Sequence, residues 1–400
     1  MRRLLFFVLL CGALPVGADT VLVLPFFNDS PSSNLDWIGE SISHTISEGL
    51  ASRGLLVLDR EDRQEVYRRL SIRPAAHLTQ ASVIKVAEEL DGSQVIYGEF
   101  EVTAAPETAR PAGTPSTRGT VRITAHTLDM ERRRKGPDFM ESGALEDLGR
   151  LQSHLAWQVL RFLAPEMTPT ADQFLTERPM VRLDAMENYT RGLLATSAEL
   201  KHRYFTQAVL LDSRFSQPQF ELGRMYWESK EYRLAADWLA RVEPARPRYF
   251  EANFLLGLCR YYTGDYANAQ AAFERVAGSV PLNEVFNNLG AAQSRLNLPE
   301  ALDNFRKALE GDPADPDYHF NVGYALWKRG EFAAAADSFR AVLDRNPDDA
   351  QATMMLGRCL AKTEARAGEL TSGGLERVKL NYEEGAYRQL KAALESKPPK

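Results

Sequence analysis

The chain is poor in the residue types from which metal centres, disulfides and catalytic constellations are built. Its 400 residues include three cysteines and six histidines. It contains no HExxH, no GxxxxGK, no CxxC and no GxSxG, so the common zinc, phosphate, redox and nucleophile-elbow signatures are missing. The histidines, His44, His77, His126, His154, His202 and His319, are scattered and have no partner at metal-ligand spacing. No catalytic, cofactor-binding or metal-ligating residue is therefore expected. Excess positive charge is lacking too. The net charge of -6 leaves no general electrostatic footprint for nucleic acid or an anionic membrane. The basic run Arg132–Lys135 reads as a charged hairpin turn.

Long apolar runs are confined to the first residues. Arg2 and Arg3 precede Leu4–Leu10, which is too short to span a bilayer, and Val16-Gly17-Ala18 supplies small residues for cleavage. Residues 1–18 thus read as a signal peptide cut after Ala18, and the mature chain is expected to be exported and soluble. A lipoprotein signal at Cys11 is the lesser reading, because Leu10 stands where a small residue is expected. Cys259 and Cys359 then remain, three repeats apart. Stacked repeats hold them well beyond the ~4.4–6.8 Å Cα separation of a disulfide, so two free, buried thiols are expected.

What is present in abundance is internal repetition. Gly223, Gly257, Gly290, Gly323 and Gly357 follow one another at steps of 34, 33, 33 and 34. Ala235, Ala269, Ala301 and Ala335 keep the same phase, as do Leu239, Phe273, Phe305 and Phe339 and the prolines 247, 281, 313 and 347. Four landmarks in register resemble the tetratricopeptide repeat, two antiparallel helices in ~34 residues. Small residues sit where the helices of a hairpin cross, a large apolar residue fills the space beside them, and proline starts a helix where its missing N–H is harmless. A degenerate first unit surrounds Gly192, Phe205 and Ala208, and a sixth begins at Met354 but loses its second half. The repeats are expected over residues 184–372. After Gly373-Gly374, Leu375–Glu395 reads as a charged capping helix within residues 373–400.

The first half follows a different pattern. Val21–Phe26, Leu55–Leu58, Val95–Val102 and Thr120–Leu128 read as strands. Helices are expected along Leu35–Leu50, Asp62–Leu70, Gln80–Leu90 and Leu145–Leu163, with Gly54 ending the first. Ala104–Thr117, rich in Ala, Pro and Thr, reads as an exposed loop. The class is an α/β domain with a mixed sheet at residues 19–163, followed by an all-α solenoid. Between them, residues 164–183 carry Pro165, Pro169 and Pro179 and read as an extended linker.

Five segments appear in the order and spacing of the TolB amino-terminal-like domain. They are VLVLPFFN at Val21–Asn28, LDWIGESIS at Leu35–Ser43, LLVLDR at Leu55–Arg60, VIYGEF at Val95–Phe100 and VRITAHTLD at Val121–Asp129. The first half therefore resembles that superfamily, which includes FlgO-type and CsgG-like proteins of the bacterial envelope. The resemblance implies a protein-contact module without catalytic residues and a periplasmic location. The β-propeller of TolB has no counterpart here.

In tetratricopeptide arrays the concave face is built mainly from the first helix of each hairpin. The inward positions, counted from the repeat glycine, are Phe220, Arg224 and Trp227, then Phe254, Tyr261 and Tyr262, then Asn287 and Arg295. Phe320, Tyr324, Trp327, Lys328 and Arg358 continue the series. Asn288 and Asn321 occupy a position that contacts a bound peptide backbone in some repeat proteins of this class. Aromatic and arginine side chains dominate binding hot spots, and an asparagine amide both donates and accepts. The aromatics are equally consistent with packing along the seam between first helices. The groove's basic residues favour a partner segment with negative charge. The sequence thus reads as a non-enzymatic periplasmic scaffold or adaptor that binds envelope proteins. The alternatives are a small-molecule-binding or enzymatic α/β domain with repeats for assembly, and a structural homo-oligomer.

Overall fold

The computed structural model describes residues 20–104, 119–178, 180–244, 246, 248–364, 374–383, 385–387 and 390. The signal-peptide reading and nearly all of the Ala104–Thr117 loop lie outside the described residues.

The first half is one mixed sheet with helices on both faces. Its strands are β1 (Thr20–Val23), β2 (Phe27–Asn28), β3 (Leu56–Val57), β4 (Gln94–Ala104), β5 (Gly119–Asp129) and β6 (Arg134–Ala144). They run in the order β3-β1-β4-β5-β6, with β2 paired to β4. β1 is parallel to both neighbours, and β4, β5 and β6 form an antiparallel meander. Alternation along β1 assigns each residue to a layer. Val21 and Val23 face α1 (Trp37–Ala51) and α4 (Leu148–Leu163). Leu22 and Leu24 face α2 (Arg60–Arg69) and α3 (Gln80–Glu89).

β6 escapes a hydrophobic-pattern reading. Its residues alternate between exposed and intermediate, none is buried, and it includes Gly136 and Pro137. An edge strand tolerates that composition because only one side of its backbone needs a partner. The turn before it, residues 130–133, holds Arg132 and Arg133, with Arg133 at φ 48°, while Arg134 and Lys135 of the basic run open β6.

The linker is not extended. Pro165–Met167 forms a 3-10 turn and Ala171–Thr176 the short helix α5. Thr170 and Gln173 make a reciprocal capping box, and Phe174 is fully buried in the first-half core. Proline density argued for extension, but one buried aromatic anchors the segment instead.

The second half is five helical hairpins and a final single helix among the described residues. They are α6 (Leu183–Leu194) with α7 (Ala198–Leu211), α8 (Ser216–Glu228) with α9 (Tyr232–Leu239), and α10 (Tyr249–Tyr262) with α11 (Tyr266–Ala277). Then come α12 (Asn283–Arg295) with α13 (Ala301–Gly311), α14 (Pro316–Lys328) with α15 (Phe332–Arg345), and α16 (Ala350–Leu360). The repeat glycine and the repeat aromatic meet within one hairpin. A Cβ on Gly257 would lie 2.6 Å from the Phe273 ring, and one on Gly290 2.8 Å from Phe305. At Gly357 nothing lies within 4 Å, because α16 has no second helix beside it among the described residues. Four of the five hairpin turns use a left-handed residue: Lys230, Gly264, Asn297 and Gly330 have φ of 61°, 80°, 57° and 77°.

The halves are docked. Arg60 Nη2 donates to the Leu193 carbonyl at 2.7 Å, and Arg191 Nη2 to the Asn34 carbonyl at 2.7 Å. Gln217 Nε2 donates to Glu48 at 3.0 Å, and the Tyr189 hydroxyl meets His44 Nε2 at 3.2 Å. Beyond α16 the chain does not form the helix expected from Leu375. Residues 374–383 are non-helical, and among the described residues that follow, 385–387 are helical. Leu375, Val378, Tyr382 and Ala386 recur at helical spacing, but tertiary hydrogen bonds override that pattern.

Candidate functional site

The concave face of the array is occupied by the chain itself. Residues 374–383 lie across α12 and α14, and the asparagines of those helices hold their backbone. Asn321 Nδ2 donates to the Arg377 carbonyl at 2.8 Å, and Arg377 N donates to Asn321 Oδ1 at 2.8 Å. Asn288 repeats the pattern on Lys379, again with both distances 2.8 Å. Asn287 Nδ2 adds a second bond to the Arg377 carbonyl at 2.8 Å, and its Oδ1 accepts from Asn321 at 2.7 Å. The Asn321 and Asn288 amides thus each give one residue a donor and an acceptor, and the residues served are two apart. That is the spacing at which an extended segment shows its backbone to one side. All three asparagines are fully buried. A buried side-chain amide needs partners for both its groups, and the segment supplies them.

Side chains of the segment are read separately. The Glu376 carboxylate is buried, accepts from Ser294 Oγ at 2.7 Å, and lies 3.9 Å from both Arg295 Nη1 and Lys328 Nζ. Burial lowers the Lys328 pKa, and the Glu376 charge opposes that shift. Lys328 also donates to the Ser294 carbonyl at 2.6 Å. Arg377 reaches the opposite charge: its guanidinium is 3.2 Å from Asp317, 2.8 Å from Asp349 and 3.8 Å from the Phe320 ring centroid. Lys379 Nζ lies 2.7 Å from both Asp315 and Asp317. Burial disfavours its charge, but the hydrogen bonds it donates to the two aspartates outweigh that and raise its pKa. Asp315 and Asp349 also cap α14 and α16. The groove therefore carries both signs of charge, where the sequence expectation counted only its basic residues.

The expected groove residues divide by place. Asn287, Asn288, Arg295, Phe320, Asn321 and Lys328 surround the segment, and Phe254 meets Tyr382 edge-on with centroids 5.0 Å apart. Tyr261 is partly buried between the clusters of neighbouring repeats. Phe220, Phe254, Phe320, Tyr324 and Trp327 are buried and belong to the packing between helices. Trp327 Nε1 donates to the Thr363 carbonyl at 2.8 Å, and Arg358 covers its ring at 4.3 Å. Arg224, Trp227 and Tyr262 lie one or two repeats away. Arg224 pairs with Glu221 at 2.8 Å, and the Trp227 and Tyr262 rings lie 6.1 Å apart, with Tyr262 exposed. Sequence reasoning missed Glu376, Arg377 and Lys379, and the acidic Asp315, Asp317 and Asp349. Their one signal was the Gly373-Gly374 break, which frees the following chain to turn back on the array.

A second concavity, of about 1250 Å³, lies between the halves. His44, Glu48, Arg60, Arg178, Tyr189 and Arg248 are among its lining residues. Among the described residues no cluster of three or more His, Cys, Asp or Glu is placed to hold a metal ion. No described helix is long and apolar enough to cross a membrane. Both cysteines are buried and unpaired, and burial pushes the Cys259 thiol up to about 12 and raises that of Cys359.

Comparison with known proteins identifies the array. Residues 220–284 and 323–370 match the tetratricopeptide repeat family, and residues 297–330 match a TPR repeat family. The second half is a solenoid of tetratricopeptide repeats. The chain is 26% identical over 168 residues to the cell division cycle protein 16 homolog of Homo sapiens, covering 39% of this chain and 27% of that protein. It is 28% identical over 132 residues to sperm-associated antigen 1 of Rattus norvegicus, covering 31% of this chain and 15% of that protein. The match thus spans about a quarter or less of these relatives' length. Among solved structures, YrrB, described as a TPR protein with an unusual peptide-binding site, aligns at 22% identity and TM-score 0.35. It covers 39% of this chain and 82% of that one. MamA from Desulfovibrio magneticus RS-1 aligns at 21% identity and TM-score 0.37, covering 42% and 95%.

Proposed function

We propose that this chain is a non-enzymatic adaptor that holds an extended segment of a partner protein in its concave groove. The observation that supports this is the asparagine ladder: Asn321 and Asn288 each give a residue of an extended backbone both a donor and an acceptor. Such bonds are indifferent to side-chain identity, so the same amides serve any extended chain. The signal-peptide reading supports a periplasmic location. The resemblance of the first half to the TolB amino-terminal-like domain gives it a second contact module in the cell envelope. The test is crosslinking in the native envelope with wild type and an Asn288→Ala/Asn321→Ala double variant of unchanged helical circular dichroism. The adaptor reading expects partners that wild type recovers and the variant loses. Equal recovery would count against the groove.

The cavity between the halves favours a second reading, a small-molecule site. Its volume of about 1250 Å³ is ample for a ligand, and its walls come from α1, α6 and α10. A ligand screen by thermal shift must therefore use the full chain, since the first half alone would carry one wall only.

A further inference from the structure

The segment in the groove is more than a backbone on a ladder. Its five central residues, Leu375-Glu376-Arg377-Val378-Lys379, are matched one by one. Leu375 packs on the core of α14, α15 and α16, and Val378 on that core and the one before it. Glu376 enters a pocket made by Ser294, Arg295 and Lys328. Arg377 and Lys379 meet three aspartates at the helix ends. Approach is close enough that a Cβ on Gly374 would fall 1.8 Å from Arg295 Nη1. Every polar group that an incoming backbone would use on Asn288 and Asn321 is already engaged.

We propose that residues 374–379 are a resident ligand, and that the groove selects partner segments of the same pattern: apolar, glutamate, basic, apolar, basic. The incoming segment binds by displacing the resident one. This rests on the adaptor reading and sharpens it in two respects. Glutamate is the discriminating residue. Its pocket is the most buried part of the site: the Glu376 side chain is 1% exposed, against 7% for Asp349, 19% for Asp315 and 33% for Asp317. Removing one member of a buried, hydrogen-bonded charge set takes from the others a charge that solvent does not replace. The occupant is also attached to the array by a short tether, so its local concentration is high and a free segment competes at a disadvantage. Affinity for a partner is therefore set by how well residues 374–379 hold their place.

The test uses the full chain and a labelled peptide with the sequence of residues 374–383, read by fluorescence anisotropy. Wild type is expected to bind the peptide weakly. Glu376→Ala, which loosens the resident segment, should bind it on the order of tenfold tighter or more. Arg377→Ala/Lys379→Ala loosens the same segment at side chains that are 18% and 20% exposed and leaves the Glu376 pocket intact, and should gain in the same direction. A peptide with glutamine in place of the glutamate should lose about tenfold or more on every chain. Equal binding by wild type and both loosened variants would overturn the proposal, as would equal binding of the glutamate and glutamine peptides. A doubling of mass in sedimentation at the concentrations used would also overturn it, since the segment would then be exchanged between two copies. If crosslinked partners depend on Asn288 and Asn321 but these peptide results fail, only the displacement model falls. If the partners themselves ignore the asparagines, the adaptor reading falls first.

Discussion

The repeat glycines differ from one another by what faces them. At Gly257 a methyl group would press into the Phe273 ring at 2.6 Å, between helices that cannot separate without breaking the hairpin. At Gly357 the same methyl group would meet nothing within 4 Å among the described residues. Gly257→Ala is therefore expected to destabilise by about 1–3 kcal/mol through overpacking. Gly357→Ala should be neutral or stabilising by up to about 1 kcal/mol, since alanine is the better helix former. Urea midpoints of the two variants check this, and equal shifts in the same direction would contradict it. Repetition makes the glycines equivalent in the sequence. Only the neighbouring helix distinguishes them.

Two short elements depart from what their composition implies, and both do so through tertiary anchors. α5 lies in a proline-rich stretch yet folds, because Phe174 is buried beneath the Arg178 guanidinium, 4.2 Å from its ring, and the capping box closes the first turn. Phe174→Ala should cost about 3–5 kcal/mol, as for other buried aromatics. It should also expose residues 165–178 to limited proteolysis before the rest of the chain. Unchanged cleavage in that variant would mean that the capping box alone holds the segment. The groove segment is the converse case. Its apolar residues are spaced for a helix, but Asn288 and Asn321 offer its backbone hydrogen bonds that an isolated surface helix would have to forgo. The α12 and α14 asparagines were legible as backbone binders from their place in the repeat. What they bind was not, since the partners lie 91 residues further along the chain from Asn288 and 56 from Asn321.

Across the whole molecule, the halves meet at a titratable pair. His44 on α1 lies 3.2 Å from Glu48 and 3.2 Å from the hydroxyl of Tyr189 on α6. Burial disfavours the imidazolium, but the Glu48 carboxylate outweighs it and raises the His44 pKa; Arg248 opposes and Glu40 assists. Burial likewise disfavours the Glu48 carboxylate, but His44 outweighs it and lowers the pKa. The signs follow from linkage. A raised histidine contributes stability that is complete below its ordinary value of 6.5 and is lost as pH climbs through the folded-state value. A lowered glutamate contributes above its ordinary 4.5 and loses that contribution as pH falls. The contact is therefore strongest between those two values. The melting temperature of wild type should fall from about pH 6 to about pH 8 more steeply than that of His44→Gln. Parallel profiles would assign the pH dependence elsewhere. Because His44 meets Tyr189 and Glu48 meets Gln217 across the interface, the same change loosens the docking of one half on the other.

The order of strands and helices, the hairpin repeat and its phase, the buried unpaired cysteines and the asparagines of the concave face were all present in the sequence. Each depends on local periodicity or on a residue type recurring at a fixed spacing, which a sequence displays directly. The edge strand β6, the folded linker, the seam packing of Phe220, Phe254, Phe320, Tyr324 and Trp327, and the occupied groove were decided by the tertiary structure. Each of these depends on which distant groups are brought together. Burial of one phenylalanine, satisfaction of three amides and neutralisation of one glutamate are contacts between segments that no local pattern connects.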